Sequence, residues 1–126
     1  MKKIWIVDDD EEMAKAIQLM LKMLEFETRH FFNARAGAQA LLNGGRPDLL
    51  ILDINMPEVS GLDMLEFVRR RSDWNNLPIL MLSSEAADVL VDKALALGAD
   101  AYAFKPVMID ELEAALNKAF LKHQVK

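Results

Sequence analysis

The chain contains no cysteine among its 126 residues. Disulfides and thiolate metal sites are therefore excluded, and the redox compartment is left open. Five glycines and four prolines form no linker, repeat or low-complexity stretch. No apolar run approaches the length that crosses a bilayer, so a hydrophobic content of 52% argues for a soluble globular protein without a membrane partner. Basic excess is missing too, and a net charge of −5 argues against direct nucleic-acid binding. The start, Met1-Lys2-Lys3-Ile4, leads straight into a strand and lacks signal-peptide architecture; a cytoplasmic location is the default expectation.

Acids at the ends of apolar runs are the most informative feature. Ile4–Val7 is followed by Asp8 and Asp9, and Leu49–Leu52 by Asp53. Short continuous apolar runs bounded by turn signals read as strands buried on both faces of a parallel sheet. Ligands of such sheets sit outside the carboxyl ends of the strands. Three carboxylates gathered there repel one another unless a cation neutralises them. Oxygen-only ligands suit a hard divalent ion, foremost Mg2+.

The pattern then alternates between two periods. A helix is expected over Asp10–Leu24, with Met13, Ile17, Met20, Leu21 and Leu24 at helical spacing. Thr28–Phe32 reads as a weaker strand. Asn33 suits the N-cap of a short helix carrying Ala36, Ala40 and Leu41, stopped by Gly44-Gly45. Leu49–Asp53 is the third strand. Leu62–Arg71 follows as a helix with Leu62, Leu65 and Val68 inward. Pro78–Ser83, a helix over Ala87–Leu97 ending at Gly98, Ala101–Phe104 and a helix over Ile109–Leu121 complete five βα units. The expected fold is one α/β domain over residues 1–126, a five-stranded parallel sheet with helices on both faces.

Two more strand ends supply the remaining chemistry. Ser83-Ser84 follows Ile79–Leu82, and Lys105-Pro106 follows Ala103-Phe104. A carboxylate nucleophile, an acidic metal pocket, a hydroxyl and an ammonium together suit phosphoryl transfer, which depends on charge neutralisation and positioning. An Asp carboxylate can itself take the group as an acyl phosphate.

The ordered set Val7-Asp8-Asp9, Asp53-Ile54-Asn55-Met56-Pro57 with Ser60-Gly61, Leu82-Ser83-Ser84, Gly98-Ala99-Asp100 and Lys105-Pro106 resembles the receiver domain of two-component response regulators. The resemblance spans essentially the whole chain and is similar to the single-domain chemotaxis type. It implies a flavodoxin-like sheet with strand order 2-1-3-4-5. It implies that Asp53 accepts a phosphoryl group from a histidine kinase or a histidine phosphotransfer protein. Asp9 and Asp53 would bind Mg2+ directly, Asp8 through water, and Asn55 through its backbone carbonyl. Ser83 would hydrogen-bond a phosphoryl oxygen, Lys105 would ion-pair with another, and the Lys105–Pro106 bond would be cis. Tyr102 would be the switch aromatic that follows Ser83. The domain would be a phosphoacceptor switch that assists its own phosphorylation and dephosphorylation, not an enzyme acting on a separate substrate.

Some positions depart from the family pattern. Ser83 stands where Thr is commoner, Ile54 where the chemotaxis type has Trp, and Ser84 where a small apolar residue is typical. Asn55 and Glu85, two residues beyond Asp53 and Ser83, match the pair that goes with rapid resetting. Two rival readings share the fold. One is a phosphate-independent interaction module, against which the complete acid, hydroxyl and lysine set counts. The other is a flavodoxin-like carrier or haloacid-dehalogenase-like phosphatase; no Ser/Thr/Gly-rich phosphate loop follows Val7, and Asn55 replaces the second acid. The chain carries no effector sequence, so a single-domain regulator and a receiver from a longer regulator or hybrid kinase both fit.

Other residues are read more plainly. His30 and His123, without partner motifs, are expected to be solvated. Arg69-Arg70-Arg71 fits either a basic docking patch or favourable charge at a helix C-terminus. The eight methionines are expected to fill core gaps. Leu19 and Met23 fall outside the inward stripe of the first helix, where an exposed apolar pair could dock a partner helix.

Overall fold

The computed structural model describes residues 1–84 and 88–123. Its elements in chain order are β1 (Lys3–Val7), α1 (Glu11–Met23), β2 (Glu27–Phe31), α2 (Ala34–Leu42), β3 (Leu49–Asp53), α3 (Gly61–Arg69), β4 (Ile79–Ser83), α4 (Asp88–Ala96), β5 (Ala101–Phe104) and α5 (Ile109–Lys122). All neighbouring strands pair in parallel, in the order β2-β1-β3-β4-β5. The five expected βα units are present, with the expected strand order.

Strand side chains point alternately to the two faces, and the core divides accordingly. Ile4, Ile6, Leu49, Ile51, Leu80, Leu82, Ala101 and Ala103 pack against Ala14, Ile17 and Leu21 of α1 and Leu112, Leu116 and Ala119 of α5. Trp5, Val7, Leu50, Leu52, Ile79 and Met81 pack against Ala34 and Leu41 of α2, Met64, Leu65 and Val68 of α3 and Ala94 of α4. Complete burial of each such Leu or Ile contributes about 1.5–3 kcal/mol relative to exposure. Both faces of β3 and β4 are covered, which is why their sequences are unbroken apolar runs.

Helix starts are fixed locally. Asp10 caps α1 by accepting from the Met13 N–H at 3.1 Å, and Asn33 caps α2 through Ala36 at 2.8 Å. Ser60 and Asp63 form a reciprocal capping box at α3.

The inward faces differ in places from those read in the sequence. In α2, Ala34, Gly37 and Leu41 are buried while Ala36 is exposed. Leu62 is only half-buried; Met64 takes the inward position together with Leu65 and Val68. Strand β2 begins and ends one residue earlier than expected, leaving Phe32 exposed. Met56, Met64 and Met81 are core residues, whereas Met1, Met23 and Met108 are exposed. Leu19 and Met23 are exposed, at 64% and 72%. The expected α4 start at Ala87 lies outside the described residues.

Candidate functional site

Register brings the acids together. Val7 pairs with Leu52, so the next residues, Asp8 and Asp53, emerge side by side from strands about 4.8 Å apart. Asp53 is level with Leu82 on β4, which puts Ser83 one step beyond. Ser83 is level with Phe104 on β5, and the Lys105 N–H donates to the Ser83 carbonyl at 2.8 Å. Four strands thus deliver Asp8, Asp53, Ser83 and Lys105 to one edge. Asp9 lies in the β1–α1 loop at the same edge, and one carboxylate oxygen from each of Asp8, Asp9 and Asp53 falls within 4.8 Å of the others.

The site is buried on one side and open on the other. Asp8, Asp53 and Ser83 are 0%, 4% and 0% exposed, whereas Asp9 and Asn55 are exposed. Lys105 Nζ sits 2.9 Å from Asp8 Oδ2 and 3.1 Å from Asp53 Oδ1. Burial, reinforced by the Asp8 charge, pushes the Asp53 carboxyl up to about 6, against the opposing pull of Lys105. Burial also pushes the Lys105 ammonium down, but its hydrogen bonds to Asp8 and Asp53 outweigh this and hold it above its ordinary value. One ammonium thus meets two of three gathered carboxylates, and this all-oxygen donor set suits a hard cation.

The loop after β3 is packed closely. The Gly61 N–H donates to the Ile54 carbonyl at 3.0 Å, and a Cβ on Gly61 would lie 2.1 Å from the Asp53 carbonyl oxygen. Only glycine allows α3 to begin so near the strand end. Tyr102 is half-buried, with its ring 5.2 Å from that of Phe104. The Lys105–Pro106 bond is cis, as expected.

The family model described as the response regulator receiver domain matches residues 4–117. The chain belongs to this family. Phosphoryl acceptance within two-component signalling is the function of the family, whose members act as phosphoacceptor switches. Receivers generally bind Mg2+ through acidic residues, and this one gathers such residues at its sheet edge. The chemotaxis protein CheY of Pseudomonas aeruginosa is 33% identical over 118 residues, covering 94% of this receiver and 95% of that protein. The uncharacterized transcriptional regulatory protein YcbL of Bacillus subtilis is 37% identical over 116 residues, covering 90% of this chain but only 49% of the relative. The receiver thus spans about half the length of that relative. Among solved structures, one described as a putative response regulator from Chloroflexus aurantiacus superposes with a TM-score of 0.89 at 28% identity, covering 95% of this chain and 98% of that one. Among the described residues no helix is long and apolar enough to cross a membrane.

Two histidines depart from the solvated reading. His30 Nε2 lies 2.7 Å from the Asp8 backbone oxygen. His123 Nε2 lies 2.8 Å from Asp100 Oδ2, at the opposite edge of the sheet. Arg69 is likewise not part of a docking patch. Its guanidinium donates to the Gly98 and Trp74 carbonyls and pairs with Asp100 at 2.8 Å. Arg70 pairs with Glu66, and Arg71 stacks over Trp74. Sequence carried no local signal for these partners, because the Arg69–Asp100 and His30–Asp8 contacts join residues 31 and 22 positions apart. Glu85 lies outside the described residues.

Proposed function

We propose that this receiver accepts a phosphoryl group on Asp53 from the phosphohistidine of a kinase or phosphotransfer protein and changes conformation in response. The observation that supports this most is the meeting of Asp53 with two further acids and Lys105 at one buried strand edge. In the reaction an Asp53 carboxylate oxygen attacks phosphorus, a P–O bond forms, the P–N bond to the donor imidazole breaks, and the imidazole leaves neutral because its other ring nitrogen carries a proton. Negative charge then rests on the transferred oxygens, and positioned cations stabilise it. Lys105 supplies one such charge.

Asp9, Asp53 and the Asn55 carbonyl would hold Mg2+ directly in this reading, and Asp8 would hold it through water. When bound there, Mg2+ would add to the neutralisation of the phosphoryl oxygens. The donor set fits: all ligands are oxygens, and three carboxylate oxygens lie within 4.8 Å of one another. The Ser83 hydroxyl hydrogen-bonds the arriving group, and Tyr102 moves inward behind it. The coupling is a shift between two packings. Catalysis of the transfer and of later hydrolysis resides in the domain itself, with the polar pair Asn55 and Glu85 going with a short lifetime. The setting is cytoplasmic, and direct nucleic-acid binding forms no part of the reading.

Intact-mass measurement after incubation with a small acyl phosphate and Mg2+ tests the acceptor. One added phosphoryl group is expected on the wild type and none on Asp53→Asn. Equal labelling of both proteins would reject Asp53. Labelling of neither would favour a phosphate-independent interaction module.

A further inference from the structure

Asp9 is exposed, and its carboxylate has no hydrogen-bond or ion-pair partner among the described residues. Its position must therefore come from the backbone that carries it. The Asp8–Asp9 peptide is planar and stiff, so whatever holds its carbonyl also sets the direction in which Asp9 leaves the strand. That carbonyl oxygen is 2.7 Å from His30 Nε2. A carbonyl can only accept, so Nε2 carries the proton and donates.

His30 is in turn held in place. Its ring packs 4.3 Å from that of Phe32 at a 51° tilt, and β2 is registered to β1 with Ile6 opposite His30. The rest of Asp8 is anchored independently. Its N–H donates to the Phe31 carbonyl at 3.0 Å, Oδ1 accepts the Asp10 N–H at 2.9 Å, and Oδ2 faces Lys105. The contact from His30 is thus the side-chain contact that bears on the Asp8–Asp9 peptide itself.

We propose that His30 is a positioning residue for the acid pocket: by donating to the Asp8 carbonyl it orients Asp9 toward Asp53 and strengthens Mg2+ binding. The proposal rests on the reading of the acid cluster as an Mg2+ site. Its mechanism is pre-organisation, since a ligand already aimed at the ion need not be ordered when the ion arrives.

The test compares His30→Phe with His30→Gln. Phenylalanine keeps the aromatic contact with Phe32 but has no N–H. The glutamine amide nitrogen stands the same number of bonds from Cβ as Nε2 and can donate to the same oxygen. Titration with Mg2+ alone, followed by 15N NMR, gives the affinity and also reports on the Asp9 amide, which shares the peptide. His30→Phe is expected to weaken Mg2+ binding by about three- to tenfold, the span of one net hydrogen bond. Its Asp9 amide resonance should shift even without metal. His30→Gln should return both readouts close to wild type. Should His30→Phe fail to fold, His30→Asn, whose amide is one bond too short, takes its place against Gln. Unchanged affinity in the donor-less variant, or an equal loss in the Gln variant, would overturn the positioning role while leaving the Mg2+ site standing. A wild type that does not bind Mg2+ would overturn the site reading itself, and this role with it.

Discussion

The two edges of the sheet each bury acids, and they treat them in opposite ways. At the amino edge, Asp100 Oδ2 is met by the Ile79 N–H, the Arg69 guanidinium and His123 Nε2, each at 2.8 Å. Burial pushes the guanidinium down from its ordinary value and the Asp100 charge opposes this, so one cation answers one anion. At the carboxyl edge three carboxylates gather and Lys105 meets two of them, Asp8 and Asp53, while Asp53 is pushed up to about 6 by burial and by Asp8. One edge is closed and serves the fold. The other is left short of positive charge, as the proposed cation and phosphoryl site requires. Burial alone does not separate the two; the charge balance does.

The largest expected effect breaks the closed edge. Arg69→Met leaves Asp100 buried without its ion partner and should cost about 3–5 kcal/mol in urea unfolding. A loss below about 1 kcal/mol would mean that Asp100 does not depend on the pair. Next, Mg2+ should stabilise the open edge alone, by about 2.7 kcal/mol at a hundredfold excess over its Kd. The rise in Tm should be smaller in Asp9→Ala, and Arg69→Met should respond to the ion as the wild type does.

Asp53→Asn should stabilise the metal-free fold at pH 7 by about 2–3 kcal/mol, because the folded carboxyl holds its proton more tightly than an unfolded one at 3.8. The contribution of Asp53 to stability is complete below pH 4 and is lost as pH rises toward 6. The Asn variant should therefore lack that part of the pH dependence and lose its advantage below pH 4. Equal pH profiles for the two proteins would contradict the shifted carboxyl. The smallest effect concerns the exposed Arg70–Glu66 pair. Arg70→Ala should change unfolding free energy by less than about 0.5 kcal/mol, which separates a buried guanidinium from its solvated neighbour in sequence.

How legible each part was in the sequence follows from the range of the interactions. The strands stood out because covering both faces demands apolar runs, and Asp8, Asp53, Ser83 and Lys105 stood out because each directly follows such a run. The inward face of α2 was missed because Ala34, Ala36, Gly37 and Ala40 differ too little in hydropathy to mark a side. Arg69 was hidden by a local explanation: three arginines at a helix C-terminus are already favourable there. His30 and His123 were hidden because their partners are fixed only when strands and helices meet. The φ of +110° at Gly98 lets the turn after α4 pass under Arg69, where a Cβ would come within 2.9 Å of the arginine Cγ; neither residue implies the other locally.

The strand order has a consequence for how the site comes into being. Each strand leaving the ribosome finds a neighbour already made: β2 flanks β1 on one side, β3 on the other, then β4 and β5 extend the row. The sheet can grow in the order of synthesis, without a gap to be filled later. The carboxylates arrive with the first and third strands, and the ammonium that partly offsets them comes only after the fifth. A nascent chain halted after β4 holds the mutual repulsion of the acids without Lys105. Docking of β5 is therefore the step at which the chain's own ammonium meets these acids, and it binds the completion of the sheet to the chemistry at its edge.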